Sequence, residues 1–146
     1  MDSHRFQDDN TRLSDFYEEV WVVCPSCSRK AIAKRNDETK NQLLFCVHCG
    51  YNKSVSAKIK GGWVDTAAHE YFETDLWLET PFKSDIFWAY NLKHLLYLKQ
   101  YIAAGLREHK DRTHFTLLEK LPKFYHESKN REALLKLIEK LEQKKH

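Results

Sequence analysis

The cysteines are the residues of this chain whose type and spacing indicate chemistry. All four fall into two C-x-x-C pairs, in "CPSC" and "FCVHCGY", namely Cys24, Cys27, Cys46 and Cys49. A two-residue gap lets a tight turn aim both sulfurs at one point, and four soft sulfurs in a tetrahedron suit Zn²⁺ best, with iron as the alternative. In a secreted chain the pairs could form two disulfides, whereas in a reducing cytoplasm they predict a metal site.

The segments around the cysteine pairs have the composition of short strands. "VWVVC" runs into the first pair, "KAIAKR" follows it and "QLLFC" runs into the second pair, with the polar "NDETKN" predicting a turn between them. "NKSVSAKIK" then alternates like a half-buried strand. Strand, turn, strand, strand and turn is the layout of a zinc ribbon, which we predict as a three-stranded antiparallel unit at residues 19–60.

The residue after each cysteine pair bears on the shape of its turn. Gly50 follows the second pair, and we expect it to adopt a positive φ, which glycine accepts. Backbone amides in such turns can donate hydrogen bonds to the sulfurs and stabilise the thiolates. Ser28 holds the matching position after the first pair, so the two turns need not be identical.

A metal with four cysteine ligands has no open position for water or substrate, so catalysis at this metal is not expected. His48 lies between two ligands, and we expect its side chain to face solvent, with ligation or a partner contact as the alternative. The chain contains no G-x-S-x-G, H-E-x-x-H, G-x-G-x-x-G or G-x-x-x-x-G-K-[ST] motif. We therefore expect no enzyme activity; the alternatives are an enzyme or enzyme subunit, and a rubredoxin-like iron protein for electron transfer.

The chain beyond residue 60 is predicted to form a hairpin followed by helices. The glycine pair at 61–62 marks the predicted boundary, and "DLWLET" and "DIFWAY" indicate two strands around "PFKS". With the ribbon, this predicts an α+β fold in three parts. They are a flexible N-terminal tail at 1–18, the zinc ribbon at 19–60, and the hairpin plus C-terminal helices at 61–146.

Two amphipathic patterns predict the helices, at residues 92–108 and 130–144. Asn91 is placed to cap the first helix. Lys99 falls within the apolar face of that helix, and we expect it to extend to solvent or to pair with a carboxylate of the acidic segment before it. Residues 113–127 predict short helical turns interrupted by a proline.

Acidic and basic blocks alternate along the chain, whose net charge is +3. Residues 21–60 carry 8 basic and 2 acidic side chains, and residues 91–146 carry 13 and 7, whereas residues 1–20 and 61–90 are acidic. This pattern predicts either complementarity within the chain or a basic surface for an acidic partner. The chain has no apolar run of about 18 residues and its polar N-terminal segment lacks a secretory pattern. We therefore expect a cytoplasmic location and no membrane association.

The two cysteine turns, in "VCPSCSRKAIA" and "FCVHCGYNKS", resemble the TFIIB-type zinc ribbons of transcription proteins. The segments "LWLETPFKSDIFWAYNLKHLLYLKQYIAAGLRE" and "LPKFYHESKNREALLKLIEKL" are similar to a family of uncharacterised bacterial proteins that contain a TFIIB-type zinc ribbon. With the ribbon, the likeness covers most of the chain. It implies bound zinc and no established activity.

Together these features favour a non-enzymatic zinc module that binds a macromolecule. If the partner is a nucleic acid, we expect the phosphate contacts to come from the basic residues of the ribbon, namely Lys30, Lys34, Arg35, Lys53, Lys58 and Lys60. The alternative is a protein–protein adaptor that uses the two helices and the aromatic segment 77–90, which otherwise builds the core. Its predicted contacts are Trp77, Phe82, Phe87 and Trp88. No small-molecule substrate is expected.

Overall fold

The structure is a computed structural model. It describes residues 5–8, 16, 18–36, 38–56, 58–59, 62–63, 72–104, 106–109 and 121–144. Contacts between residues group the chain into two compact units, one of residues 16–91 and one of residues 1–15 with 92–145. The predicted α+β fold is confirmed, since the described part combines antiparallel strands with two α-helices.

In chain order the described strands are β1 (Arg5–Asp8), β2 (Glu19–Val23), β3 (Lys30–Asn36), β4 (Asn41–Phe45), β5 (Asn52–Ser56), β6 (Lys58–Ile59), β7 (Gly62–Trp63), β8 (Leu78–Phe82), β9 (Asp85–Ala89) and β10 (Leu106–His109). The described helices are α1 (Leu92–Ala103) and α2 (Arg131–Glu142). Single 3-10 turns lie at Lys123–Tyr125 and Ser128–Asn130.

The strands β2, β3, β4 and β5 form one antiparallel sheet in that order. We predicted three strands in the ribbon, and this count is wrong because the alternating segment after the second cysteine pair adds β5 to the sheet. Val20, Ala33 and Leu44 lie opposite one another on adjacent strands and are fully buried. Their face of the sheet is the core of this unit, and the strand alternation puts the neighbouring residues on the other face.

The outer edge of β2 is covered by the chain that leads into the hairpin. Val22 forms an antiparallel bridge with Leu76. The Trp77 N–H donates to the Trp21 carbonyl at 2.9 Å, and the Trp21 N–H donates to the Tyr90 carbonyl at 2.7 Å. An edge strand that would otherwise expose its peptide groups is thereby paired, and the hairpin belongs to the same unit as the sheet.

The predicted hairpin is confirmed as β8 and β9, with a turn at Lys83 and Ser84. The strand β8 continues through Pro81 and Phe82, which we had placed in the connection. Lys83 takes the left-handed conformation, with φ 54°. A two-residue connection needs such a residue because its twist matches that of the flanking strands.

In the other unit, α1 packs against α2. The residues of α1 with buried side chains are His94, Leu95, Leu98, Tyr101 and Ile102, and those of α2 are Leu134, Ile138 and Leu141. The first helix was predicted to reach residue 108, but it ends at Ala103, and Leu106–His109 instead pairs in parallel with Arg5–Asp8. Gly105 lies between the two elements, and glycine commonly ends a helix.

Lys99 pairs with Glu142, with Nζ 2.8 Å from Oε1. This partner comes from α2, so the prediction of a carboxylate from the acidic segment is wrong, although Lys99 is paired and partly exposed. Asn91 directly precedes α1 and uses its side-chain amide for the carbonyls of Phe16 and Glu19, at 2.8 and 2.6 Å.

Some predictions fall outside the described residues. Lys60 and Gly61, at the predicted domain boundary, are among them, as are residues 113–120 of the segment predicted to form helical turns. The predicted N-terminal tail at 1–18 includes β1 and the buried Phe16. Within the described part of the chain, neither helix has the length and apolar character that crossing a bilayer would require.

Candidate metal centre and the surface around it

The four cysteine sulfurs lie close enough to share one metal ion. Cys24 Sγ is 3.7 Å from Cys49 Sγ, Cys27 Sγ is 3.6 Å from Cys46 Sγ, and all four lie within 4.8 Å of one another. In a tetrahedral zinc site with Zn–S bonds of about 2.3 Å, neighbouring sulfurs are about 3.8 Å apart. No two of the four are joined in a disulfide. The cluster therefore fits a metal site with four thiolate ligands.

The two turns that carry the cysteines share one backbone pattern. In the first, the Ser28 N–H donates to the Cys24 carbonyl and the Cys24 N–H donates to the Arg29 carbonyl. The second turn repeats both bonds around Cys46, with Gly50 and Tyr51 in the places of Ser28 and Arg29. Each turn thus closes on itself and fixes its two cysteines, and the strands β2 and β4 bring the turns together at one end of the sheet.

The backbone amides of the first turn also reach a sulfur, as the sequence analysis predicted. The N–H groups of Ser26 and Cys27 lie 3.4 and 3.5 Å from Cys24 Sγ. Hydrogen bonds of this kind stabilise a thiolate and orient it toward a metal.

The pKa values of two thiols diverge under the combined effects of burial, backbone amides and the neighbouring sulfurs. Burial raises the pKa of the Cys24 thiol, but the amides of Cys27 and Ser26 and the neighbouring thiols outweigh it and lower the pKa to about 7. The Arg29 amide lowers the pKa of Cys27, whereas burial and the other three cysteines raise it to about 12. Four thiols at this spacing cannot all lose their protons unaided, because each thiolate opposes the next. A divalent cation removes that conflict, since ligating thiols are deprotonated.

The side chain of His48 is exposed and is not part of the cluster. Among the ligands, Cys24 and Cys46 are buried, Cys27 is half-buried and Cys49 is exposed. The site is therefore exposed to solvent at Cys49 and buried at Cys24 and Cys46.

The basic residues predicted to contact phosphates do not share one face of the sheet. Lys30 and Lys34 alternate with buried alanines along β3, so they lie on the face away from the core. Arg35 follows Lys34 on the core side, and Lys53 lies opposite the buried Leu44. Lys58 lies in β6, outside the four-stranded sheet, and the described residues do not include Lys60.

The aromatic residues predicted to contact a protein separate by strand alternation. Phe82 and Phe87 are buried in the core, with Phe87 at 0% exposure. Trp77 and Trp88 are half-buried. Burial in the core leaves Phe82 and Phe87 no surface for a partner while the unit stays folded, so of these four residues Trp77 and Trp88 are the two that a partner could contact.

The structure shows a row of residues that sequence reasoning missed. Trp21, Ile32 and Phe45 lie opposite one another on β2, β3 and β4, on the face away from the core, and all three are half-buried. Trp77 extends this row, because its backbone pairs with that of Trp21. The apolar residues on both faces of β2 indicated a strand buried on both sides, and only the register of the sheet separates its outer row from the core.

No protein-family model, curated protein or solved structure matches the chain. What the chain can bind is therefore inferred from the geometry of the cysteine cluster and of the sheet.

Proposed function

We propose that the chain is a non-enzymatic zinc-binding module, in which a four-cysteine zinc ribbon presents a basic sheet to a nucleic acid. The observation that carries the proposal is the cluster of four sulfurs within 4.8 Å, held by two turns of the same backbone pattern. The donor set is Cys24, Cys27, Cys46 and Cys49.

Zinc is the metal that this donor set favours. Four thiolates in a tetrahedron exclude the oxygen-preferring cations and leave zinc or iron. The likeness of both turns to TFIIB-type zinc ribbons supports zinc, and we extend the proposal to membership of the bacterial family whose segments the chain resembles. Free thiols in such a cluster also favour a reducing compartment such as the cytoplasm.

A structural role follows from the closed donor set. With four protein ligands the metal keeps no position for a substrate, and its contribution is to hold the two turns together. The sheet then supplies the binding surface, because β3 carries Lys30 and Lys34 on its outer face and none of β3, β4 and β5 carries an acidic residue.

Metal analysis of the purified chain tests the first half of the proposal. We expect about one zinc per chain and a colourless protein, and loss of that zinc in Cys27→Ser. A coloured protein with iron in the same amount would support the electron-transfer alternative instead.

The salt dependence of nucleic-acid binding tests the second half of the proposal, since each phosphate that a lysine neutralises makes the affinity fall more steeply with salt concentration. Absence of binding at low salt would contradict it.

The second candidate, a protein–protein adaptor, has one specific observation in its favour. Pro81 and Ile86 lie opposite each other on the hairpin and are exposed, with Ile86 at 56%. Trp88 shares this outer face, next to Glu79. A partner protein recovered with the wild-type chain and with Lys34→Gln, but lost with Ile86→Asp, would favour the adaptor.

A further inference from the structure

The outer face of the four-stranded sheet combines half-buried rings with lysines. The row of Trp21, Ile32 and Phe45 crosses three strands, and Leu43 beside it is 41% exposed. Lys30 and Lys34 lie on the same face of β3, on either side of Ile32. The Lys30 ammonium nitrogen lies 3.7 Å from the centre of the Trp21 ring, which is the geometry of a cation–π contact.

We infer that this face binds single-stranded nucleic acid, with one base stacked on Phe45, another displacing the Lys30 ammonium from the Trp21 ring, and phosphates held by Lys30 and Lys34. The inference rests on the proposed function and specifies both the face and the form of the ligand. Aromatic rings on an open sheet can stack unpaired bases of any sequence, and lysines beside them attract the backbone.

The charge distribution favours an anionic occupant over a neutral or basic one. Along the part of the face formed by β3, β4 and β5 there is no acidic side chain. Glu19 lies opposite Lys34 on β2, and Asp75 pairs through its backbone with Val23, so the negative charge lies at the β2 edge of the row. A strand that follows the row toward β5 would therefore pass the two lysines of β3 and then meet polar surface without acidic groups.

Polar side chains continue the row at the far edge. Asn52 lies opposite Phe45, and Ser54 lies opposite Leu43. Amide and hydroxyl groups at these positions can hydrogen-bond to the edges of unpaired bases. A duplex would be a poorer ligand, because its stacked bases expose no ring face to the sheet.

Fluorescence anisotropy of the zinc-loaded chain with a labelled oligo-dT and with a duplex of equal length tests the inference. We expect tighter binding to the single strand. Trp21→Leu and Phe45→Leu keep apolar bulk on the sheet, and each should weaken binding by roughly fivefold or more, since one base–ring stack is lost. Unchanged amide chemical-shift dispersion would show that these variants fold.

Lys34→Gln and Lys53→Gln are a matched pair, because both lysines are exposed on the same sheet but lie on opposite faces. We expect Lys34→Gln to reduce the dependence of affinity on salt by about one phosphate contact, and Lys53→Gln to leave it unchanged. Equal effects of the two variants would overturn the assignment of the face.

The outcomes separate this inference from the function on which it rests. Equal affinity for duplex and single strand, with no effect of Trp21→Leu, would overturn the inference and leave a basic nucleic-acid-binding sheet in place. Absence of binding to both ligands would overturn the proposed function as well. Binding of poly-glutamate that requires Trp21, with no binding of oligo-dT, would assign the face to an acidic protein and overturn the inference.

Discussion

Ser28 and Gly50 occupy equivalent positions in the two cysteine turns, and both have positive φ, at 64° and 80°. Each donates its N–H to the carbonyl of the first cysteine of its pair. The positive φ predicted for Gly50 is confirmed, and the structure adds that Ser28 adopts the same conformation with a side chain. The two turns therefore have the same backbone conformation, but glycine adopts a positive φ at a lower steric cost than serine does.

The first prediction concerns this pair. Ser28→Gly should raise the free energy of unfolding by up to about 1 kcal/mol, because glycine adopts the left-handed conformation without the steric cost that serine bears. Gly50→Ala should lower it by about 1 kcal/mol through φ alone, because an added Cβ would meet no atom within 4 Å. Urea denaturation of the zinc-loaded proteins measures both. Changes of the same sign in the two variants would contradict the account.

Asn91 provides the second prediction, since its amide donates to the carbonyls of Phe16 and Glu19. Asn91→Asp keeps the size of the side chain and removes both donors, and it should cost about 1–3 kcal/mol of stability. Asn52→Ala is the control, because the Asn52 amide makes an exposed hydrogen bond to Gly50, at 3.2 Å. We expect the control to change the free energy of unfolding by less than about 0.5 kcal/mol. Equal losses of stability in the two variants would show that the Asn91 hydrogen bonds stabilise the fold no more than an exposed one does.

The third prediction concerns the ion pair between the helices. A double-mutant cycle with Lys99→Met and Glu142→Gln should give a coupling of about 0.2–1 kcal/mol that weakens with salt, because both side chains are partly exposed. Lys136 and Glu132 form a control pair within α2, 3.6 Å apart and highly exposed. Its coupling energy should be smaller, because the more exposed pair is better screened by solvent. A larger coupling energy for Lys136 and Glu132 would contradict this expectation.

The fourth prediction concerns His94, which is buried in α1. Burial lowers its pKa from 6.5 to about 3, so the unfolded chain binds a proton in this interval and the folded chain does not. Stability should therefore fall as the pH drops below about 6.5, by up to about 1.4 kcal/mol per pH unit. Amide signals of α1 followed in urea at several pH values measure this, because acid also protonates the cysteine ligands of the other unit.

The variant His94→Gln tests whether His94 is the group that causes this pH dependence of stability. The variant lacks the titrating group, so its unfolding should depend less steeply on pH, whatever its absolute stability. A slope equal to that of the wild type would exclude His94 as the source.

The parts of the fold that sequence predicted correctly are those set by neighbouring residues. The spacing of the cysteines, the polar turn between β3 and β4, and the two strand-like segments around the proline-containing connection of the hairpin each depend on a few adjacent residues. Asn36 illustrates this, because its side-chain oxygen accepts the N–H groups of Glu38 and Thr39 and so closes that turn locally.

The features that sequence reasoning missed depend on pairing between distant segments. Arg5–Asp8 pairs with Leu106–His109, and Trp77 pairs with Trp21. Neither partner carries a local signal for the other, because the register is set by how whole strands bury their apolar faces. The end of α1 was missed for a related reason, since the apolar Leu106 continued the helical pattern beyond Gly105 although it lies in a strand.

The role of the cysteines is the central claim, and removal of the metal tests it most directly. A two-dimensional amide NMR spectrum of the zinc-loaded chain should lose its dispersion for residues 19–56 after a strong chelator is added, and should regain it when zinc is returned. Such a response is expected because a small sheet has too little core to fold without its metal. A spectrum that the chelator leaves unchanged would contradict a structural metal site at Cys24, Cys27, Cys46 and Cys49.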